Sequence, residues 1–117
     1  MAPTSEMLKI ALKENPDYVC LVPENRKEIT TEGGLNLSHN KEFLKNIIYK
    51  LKKRKIRVSL FIEPSLKDIK KSKYLGADCV EIHTGKICNL INQKKNYKKE
   101  YMKINNAVLL GNTLGLE

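Results

Sequence analysis

Ile56-Arg57-Val58-Ser59-Leu60-Phe61-Ile62 ends at Glu63-Pro64, Ser65-Leu66-Lys67-Asp68-Ile69 follows, and after Tyr74 the run Leu75-Gly76-Ala77-Asp78 leads into Cys79-Val80-Glu81-Ile82-His83. The first run is apolar and rich in β-branched and aromatic residues, as strands are. Ser65 and Asp68 stand in the capping-box positions of a helix that includes Leu66, Ile69 and Tyr74. Gly76 suits the left-handed position that closes such a helix. Strand, helix and strand within 28 residues make a βαβ unit, whose two strands are parallel.

The same alternation extends toward the N-terminus. Tyr18-Val19-Cys20-Leu21-Val22 is a second continuous apolar run, closed by Pro23. A strand of this composition is expected to be buried on both faces. Before it, Thr4 or Ser5 can cap a helix through Met7, Leu8, Ala11 and Leu12, which Asn15-Pro16 terminates. After it comes a polar loop over 23–37, then a helix starting at Ser38 or Asn40 with Phe43, Leu44, Ile47, Ile48 and Leu51 on one face. That helix ends in Lys52-Lys53-Arg54-Lys55, cations that suit a helix C-terminus. A last helix, after a polar stretch with lysine pairs, is predicted through Tyr97, Tyr101, Ile104 and Val108, with its end at Gly111. The order helix, strand, helix, strand, helix, strand, helix predicts an α/β chain with parallel strands: an open doubly wound sheet or part of a (β/α)8 TIM barrel. No Gly-x-Gly-x-x-Gly loop supports a dinucleotide-binding sheet.

Composition bounds the function. With 117 residues and no Ser/Gly/Pro-rich divider, residues 1–117 are expected to be one structural unit. Apolar runs such as Val58 to Ile62 are too short to span a bilayer, so no membrane partner is expected. Met1-Ala2-Pro3-Thr4-Ser5-Glu6 lacks the pattern of a secretory signal, and a cytoplasmic location is the expectation. Cys20, Cys79 and Cys88 have no metal-type spacing; Cys20 and Cys79 are expected to pack as small hydrophobes, with Cys88 exposed. The net charge of +9 invites a polyanion, but of 22 basic residues only Arg26, Arg54 and Arg57 are arginines. Lys70-Lys71, Lys94-Lys95 and Lys98-Lys99 also lack aromatic neighbours arranged for base stacking. A solvated lysine surface is therefore the reading, and no nucleic-acid partner is expected.

Glu81 is the most informative polar residue. A carboxylate inside a parallel strand is expensive unless it is paired or functional. Near the C-terminal end of a barrel strand it faces the mouth where chemistry occurs, while Val80 and Ile82 pack against the helices. The bland reading is an ion pair with a neighbouring lysine or arginine. His83-Thr84-Gly85 could bind a phosphate, or His83 could be structural; His39 is a weaker candidate. Glu24 and Glu63 stand at strand ends beside proline turns, where a solvated carboxylate is ordinary, and both rank below Glu81. Thr30-Thr31-Glu32-Gly33-Gly34 combines hydroxyls with glycines whose amides can approach an anion, and is a candidate ligand contact.

Three segments, taken together, resemble the pyridoxine 5'-phosphate synthase family. They are Leu21-Val22-Pro23-Glu24-Asn25-Arg26 running into Thr30-Thr31-Glu32-Gly33-Gly34-Leu35, then Val58-Ser59-Leu60-Phe61-Ile62, then Val80-Glu81-Ile82-His83-Thr84-Gly85. The resemblance implies the middle β/α units of a TIM barrel. Its implied reaction condenses 1-deoxy-D-xylulose 5-phosphate with 3-amino-2-oxopropyl phosphate to give pyridoxine 5'-phosphate, phosphate and water, with no organic cofactor and no metal. Thr30 matches the threonine that binds deoxyxylulose phosphate, and Glu81 matches the glutamate that stabilises the transition state. The family's other catalytic glutamate would fall just before Met1, and its histidine base, substrate-binding arginine and later catalytic histidine have no counterpart here. Ile87 stands where the family usually has an aromatic residue.

The resemblance thus predicts a fragment inactive alone, with the complete enzyme a homo-oligomer of barrels. The alternative is a decayed paralogue kept as a lysine-rich binding or assembly module. Either way, the sheet of such a half-barrel is expected to have two unpaired edges.

Overall fold

The computed structural model describes residues 1–24 and 33–117. In chain order the elements are α1 (Ser5–Glu14), β1 (Tyr18–Leu21), α2 (Lys41–Lys53), β2 (Arg57–Ile62), α3 (Leu66–Leu75), β3 (Cys79–Ile82), α4 (Gly85–Asn92) and α5 (Lys98–Thr113). The three strands form one parallel sheet in the order β1-β2-β3. Val19 is in register with Val58, and Leu60 with Val80. This is the α/β architecture with parallel strands that the alternation predicts, and it is consistent with part of a TIM barrel.

The local signals act where they stand. Thr4 Oγ1 accepts the Met7 amide at the start of α1, and Asn15 closes that helix in the left-handed region at φ 49°. Ser65 Oγ accepts the Asp68 amide, and Gly76 ends α3 at φ 91°. The capping box is only half made, because the Ser65 amide donates instead to the Glu63 carbonyl at 2.7 Å. At α2 the first residue outside the helix is Asn40, left-handed and without a side-chain cap. The Asn36 carboxamide takes the Ser38 and His39 amides one turn earlier.

The core lies on one side of the sheet. Val19, Leu21, Val58, Leu60 and Ile62 join Leu8 and Ala11 of α1, Leu44, Ile47, Ile48 and Leu51 of α2, and Ile69 and Leu75 of α3. Val80 and Ile82 pack against the same cluster, as predicted. Alternate strand residues face the other way, and several of them are exposed: Tyr18, Arg57 and Glu81. The expectation that the first strand is buried on both faces is thus corrected. Helices cover one face only, and the strand pleat delivers every second side chain to the other.

Further corrections follow from packing. The stretch read as a polar connector contains α4, a short helix with no side-chain cap and no fully buried residue. Tyr97, Tyr101 and Val108 do not form the buried stripe of the last helix, being 46%, 56% and 43% exposed. Its buried positions are Glu100, Ala107 and Gly111. Gly111 lies inside α5 rather than at its end, and a methyl there would sit 3.9 Å from Ile69 of α3. Small residues let two helices approach, so the apolar stripe and the contact stripe differ. Phe43, placed on the apolar face of α2, is also exposed, as are Leu66 and Tyr74 of α3. Tyr74 instead carries the Lys41 and Lys45 ammonium groups over its ring, at 4.2 and 5.0 Å.

Neither sheet edge is wholly unpaired. The Val22 amide donates to the Met1 carbonyl at 3.0 Å, and the Met1 ammonium to the Cys20 carbonyl at 2.5 Å. At the opposite edge the Val80 amide donates to the Glu117 carbonyl at 2.8 Å, and the Glu117 amide to the Asp78 carbonyl at 3.2 Å. Each edge thus carries one residue paired in the pattern of a parallel ladder.

Candidate active site

The face turned away from the helices is built from alternate residues: Tyr18 and Cys20 of β1, Arg57, Ser59 and Phe61 of β2, and Cys79 and Glu81 of β3. Continuing the same parity past the strand ends adds Glu63 and His83. Phe61 is in register with Glu81, and Ile62 with Ile82. The next pair along therefore brings Glu63 beside His83, and the two side chains meet with His83 Nδ1 2.9 Å from Glu63 Oε1. The Phe61 ring stands edge-on to the imidazole, centroids 5.3 Å apart. The His83 amide donates to the Ile62 carbonyl at 2.8 Å, which carries the strand pairing one residue further.

Glu63 has a second bond. Its Oε1 accepts the Gly34 amide at 2.9 Å, while the Leu35 amide donates to the Phe61 carbonyl at 2.7 Å. Closeness requires glycine at 34, where the obstacle is backbone, whereas at 33 the obstacle is the end of the Glu63 side chain, which can shift. A Cβ at Gly34 would lie 2.4 Å from the Ile62 backbone, and one at Gly33 2.5 Å from Glu63 Oε1. The glycine pair does bring an amide to an anion, as its composition suggests, and the anion is the chain's own Glu63.

Glu81 stands one step back along β3 and is exposed on this face. Its influence reaches β1: burial, reinforced by the nearby Glu81 carboxylate, pushes the Cys20 thiol up to about 11. Cys79 is buried, but it is not merely a small hydrophobe, because its sulfur bonds the Tyr18 hydroxyl. That bond, followed by burial, raises Tyr18 to about 12. Cys88 is exposed, as expected.

The candidate residues separate spatially. Gly33, Glu63, His83, Lys86, Asn89 and Gln93 line an open cleft of about 290 Å³ at the carboxyl ends of β2 and β3. Glu24 and His39 instead border a separate cavity of about 510 Å³ between the starts of α1 and α2. Thr30 lies outside the described residues. Among the lysines, Lys86 reaches Glu100 at 3.1 Å, and Glu100 is 5% exposed, so this ion pair anchors α5 beside the cleft.

Glu63 is the residue whose partner sequence reasoning missed. Beside a proline it resembles a solvated turn carboxylate, and only the β2–β3 register reveals its partner. One signal was present: Arg57, Ser59 and Glu63 share one strand parity, as do Cys79, Glu81 and His83, and both sets are more polar than their alternates.

No helix among the described residues is long and apolar enough to cross a membrane. The family model described as pyridoxal phosphate biosynthesis protein PdxJ matches residues 1–117. A pyridoxine 5'-phosphate synthase of Pelagibacter ubique is 58% identical over 112 residues, covering 96% of this chain and 47% of the relative. One of Syntrophotalea carbinolica is 53% identical over 116 residues, covering 99% and 48%. One of Aquifex aeolicus is 46% identical over 119 residues, covering 100% and 49%. The chain spans about half the length of the curated relatives it matches.

Proposed function

Since the chain belongs to the family of pyridoxal phosphate biosynthesis protein PdxJ, we propose that it is part of a pyridoxine 5'-phosphate synthase barrel, with residues 1–117 forming a portion of one catalytic domain. The reaction is the condensation of 1-deoxy-D-xylulose 5-phosphate with 3-amino-2-oxopropyl phosphate, releasing phosphate and water. The observation that carries this reading is the family match over residues 1–117, with Glu81 on the polar face near the carboxyl end of its strand.

In this reading Glu81 stabilises positive charge that develops as the ring closes, and Thr30 holds the deoxyxylulose phosphate. A carboxylate on a preorganised strand acts without reorganising at the moment of reaction, which is where electrostatic stabilisation is strongest. The family's remaining catalytic groups have no counterpart among these residues, so the 117-residue chain is inactive alone. The complete enzyme acts in the cytoplasm as a homo-oligomer.

A coupled synthase assay tests this. The chain as it stands should give no turnover, and a version extended at both ends to the length of the relatives should give turnover. In the extended version Glu81→Gln should lower kcat about 10²–10³-fold with folding intact by circular dichroism. Turnover unaffected by Glu81→Gln removes the proposed role, and an inactive extended version argues for the decayed paralogue.

A further inference from the structure

The bonding of Glu63 determines which form of His83 faces the cleft. An ionised carboxylate oxygen has lone pairs and no hydrogen, so the hydrogen in the 2.9 Å contact belongs to Nδ1. In a neutral imidazole the other nitrogen is then a bare acceptor. Nε2 sits against Gly85, the first residue of α4, where a methyl group would come within 2.7 Å of it. The rest of the ring is fixed by Phe61 and the strand backbone, and the side chain is 16% exposed. Nε2 has no hydrogen-bond partner among the described residues, and the imidazole lines the cleft.

We propose that Glu63 is a positioning residue: it holds His83 in the Nδ1–H tautomer, so that Nε2 presents a lone pair to a hydroxyl group of the substrate bound in the cleft. The donor must be a hydroxyl-bearing phosphate ester if the synthase reading holds, and only that identification rests on it. Gly34 belongs to the same arrangement. Its amide occupies the same Glu63 oxygen and keeps the carboxylate from turning away from the ring. Gly85 supplies the space that Nε2 needs.

The test is a long-range ¹H–¹⁵N correlation of the histidine rings at pH 7.5 on the 117-residue chain, with His39→Gln to assign the two rings. His83 is expected to carry its hydrogen on Nδ1. Glu63→Ala should move it toward the Nε2–H form that an unconstrained histidine side chain favours, and Glu63→Gln, whose amide oxygen still accepts, should restore the original tautomer. A hydrogen on Nε2 in the unaltered chain overturns the proposal, and this readout stands even if Glu63→Ala does not fold. In the extended version, Glu63→Ala should raise KM for deoxyxylulose phosphate about tenfold, the loss of one neutral hydrogen bond, with Glu63→Gln near the original value. An unchanged KM overturns the hydroxyl assignment. An extended version with no turnover defeats the synthase reading instead, and the tautomer then decides the role of Glu63 by itself.

Discussion

The two ends of the sheet carry nearly the same construction with opposite outcomes. At the amino end Asp78 accepts the Val58 amide at 2.9 Å and the Lys52 ammonium at 2.8 Å. At the carboxyl end Glu63 accepts the Gly34 amide at 2.9 Å and meets His83 Nδ1 at 2.9 Å. Each carboxylate thus binds one backbone amide and one side-chain nitrogen. Lysine has no acceptor site, and Lys52 spends a further hydrogen on the Gly76 carbonyl at 2.9 Å, so the amino end closes on itself. Imidazole has a second nitrogen, and at the carboxyl end that nitrogen has no partner among the described residues and lies beside a cleft. The same carboxylate chemistry therefore makes a structural tie at one end and a cleft-facing imidazole at the other, the division expected of a barrel.

The largest effect that can sharpen this contrast is on stability. Asp78→Ala strands the Val58 amide and should lower unfolding free energy by about 1–3 kcal/mol in urea titration. Glu63→Ala, at a side chain 41% exposed, should lower it by less than about 1 kcal/mol. Equal losses would erase the distinction between the two ends.

Acid should expose the same difference. Burial opposes ionisation of Asp78, but Lys52 and the Val58 amide outweigh it and hold the carboxyl below 3.8. Its stabilising contribution is complete above 3.8 and disappears as pH falls through the lowered folded value. The unaltered chain should therefore lose stability in acid more steeply than Asp78→Asn, measured as urea midpoints at pH 5 and pH 3.

Gly76 belongs to the closed end, at φ 91° with its carbonyl on Lys52. Gly76→Ala should destabilise by about 1 kcal/mol, through backbone strain and not lost contacts.

The smallest effect concerns the polar face between the two ends. With Cys20 pushed up to about 11, alkylation at pH 8 should label exposed Cys88 well before Cys20. Glu81→Gln should modestly accelerate Cys20 labelling by removing the negative charge, as mass spectrometry would show. Since the folded value exceeds the ordinary 9.0, the contribution of Cys20 to stability is intact below pH 9 and declines toward pH 11.

Much of this is legible in the amino-acid sequence. The apolar runs marked all three strands because a strand packed on helices needs a continuous β-branched supply, and Thr4, Ser65 and Gly76 marked helix ends because capping is a local matter of reach and φ. The face of α5 was not legible. Tyr97, Tyr101 and Val108 have helical spacing, yet the close approach to α3 selects Ala107 and Gly111, and periodicity ranks by hydrophobicity, not by size. Nor was α4 legible, since it lacks both a side-chain cap and a buried stripe.

For the site, the sequence by itself singled out Glu81, as a charge inside a strand, and placed Val80 and Ile82 on the helix side, because side chains alternate along a strand wherever it lies. Only the tertiary structure decided that Glu63 belongs with His83. Which residues of two parallel strands come abreast depends on register, and register is settled by the packing of Val58, Leu60 and Ile62 against helices that no local pattern positions.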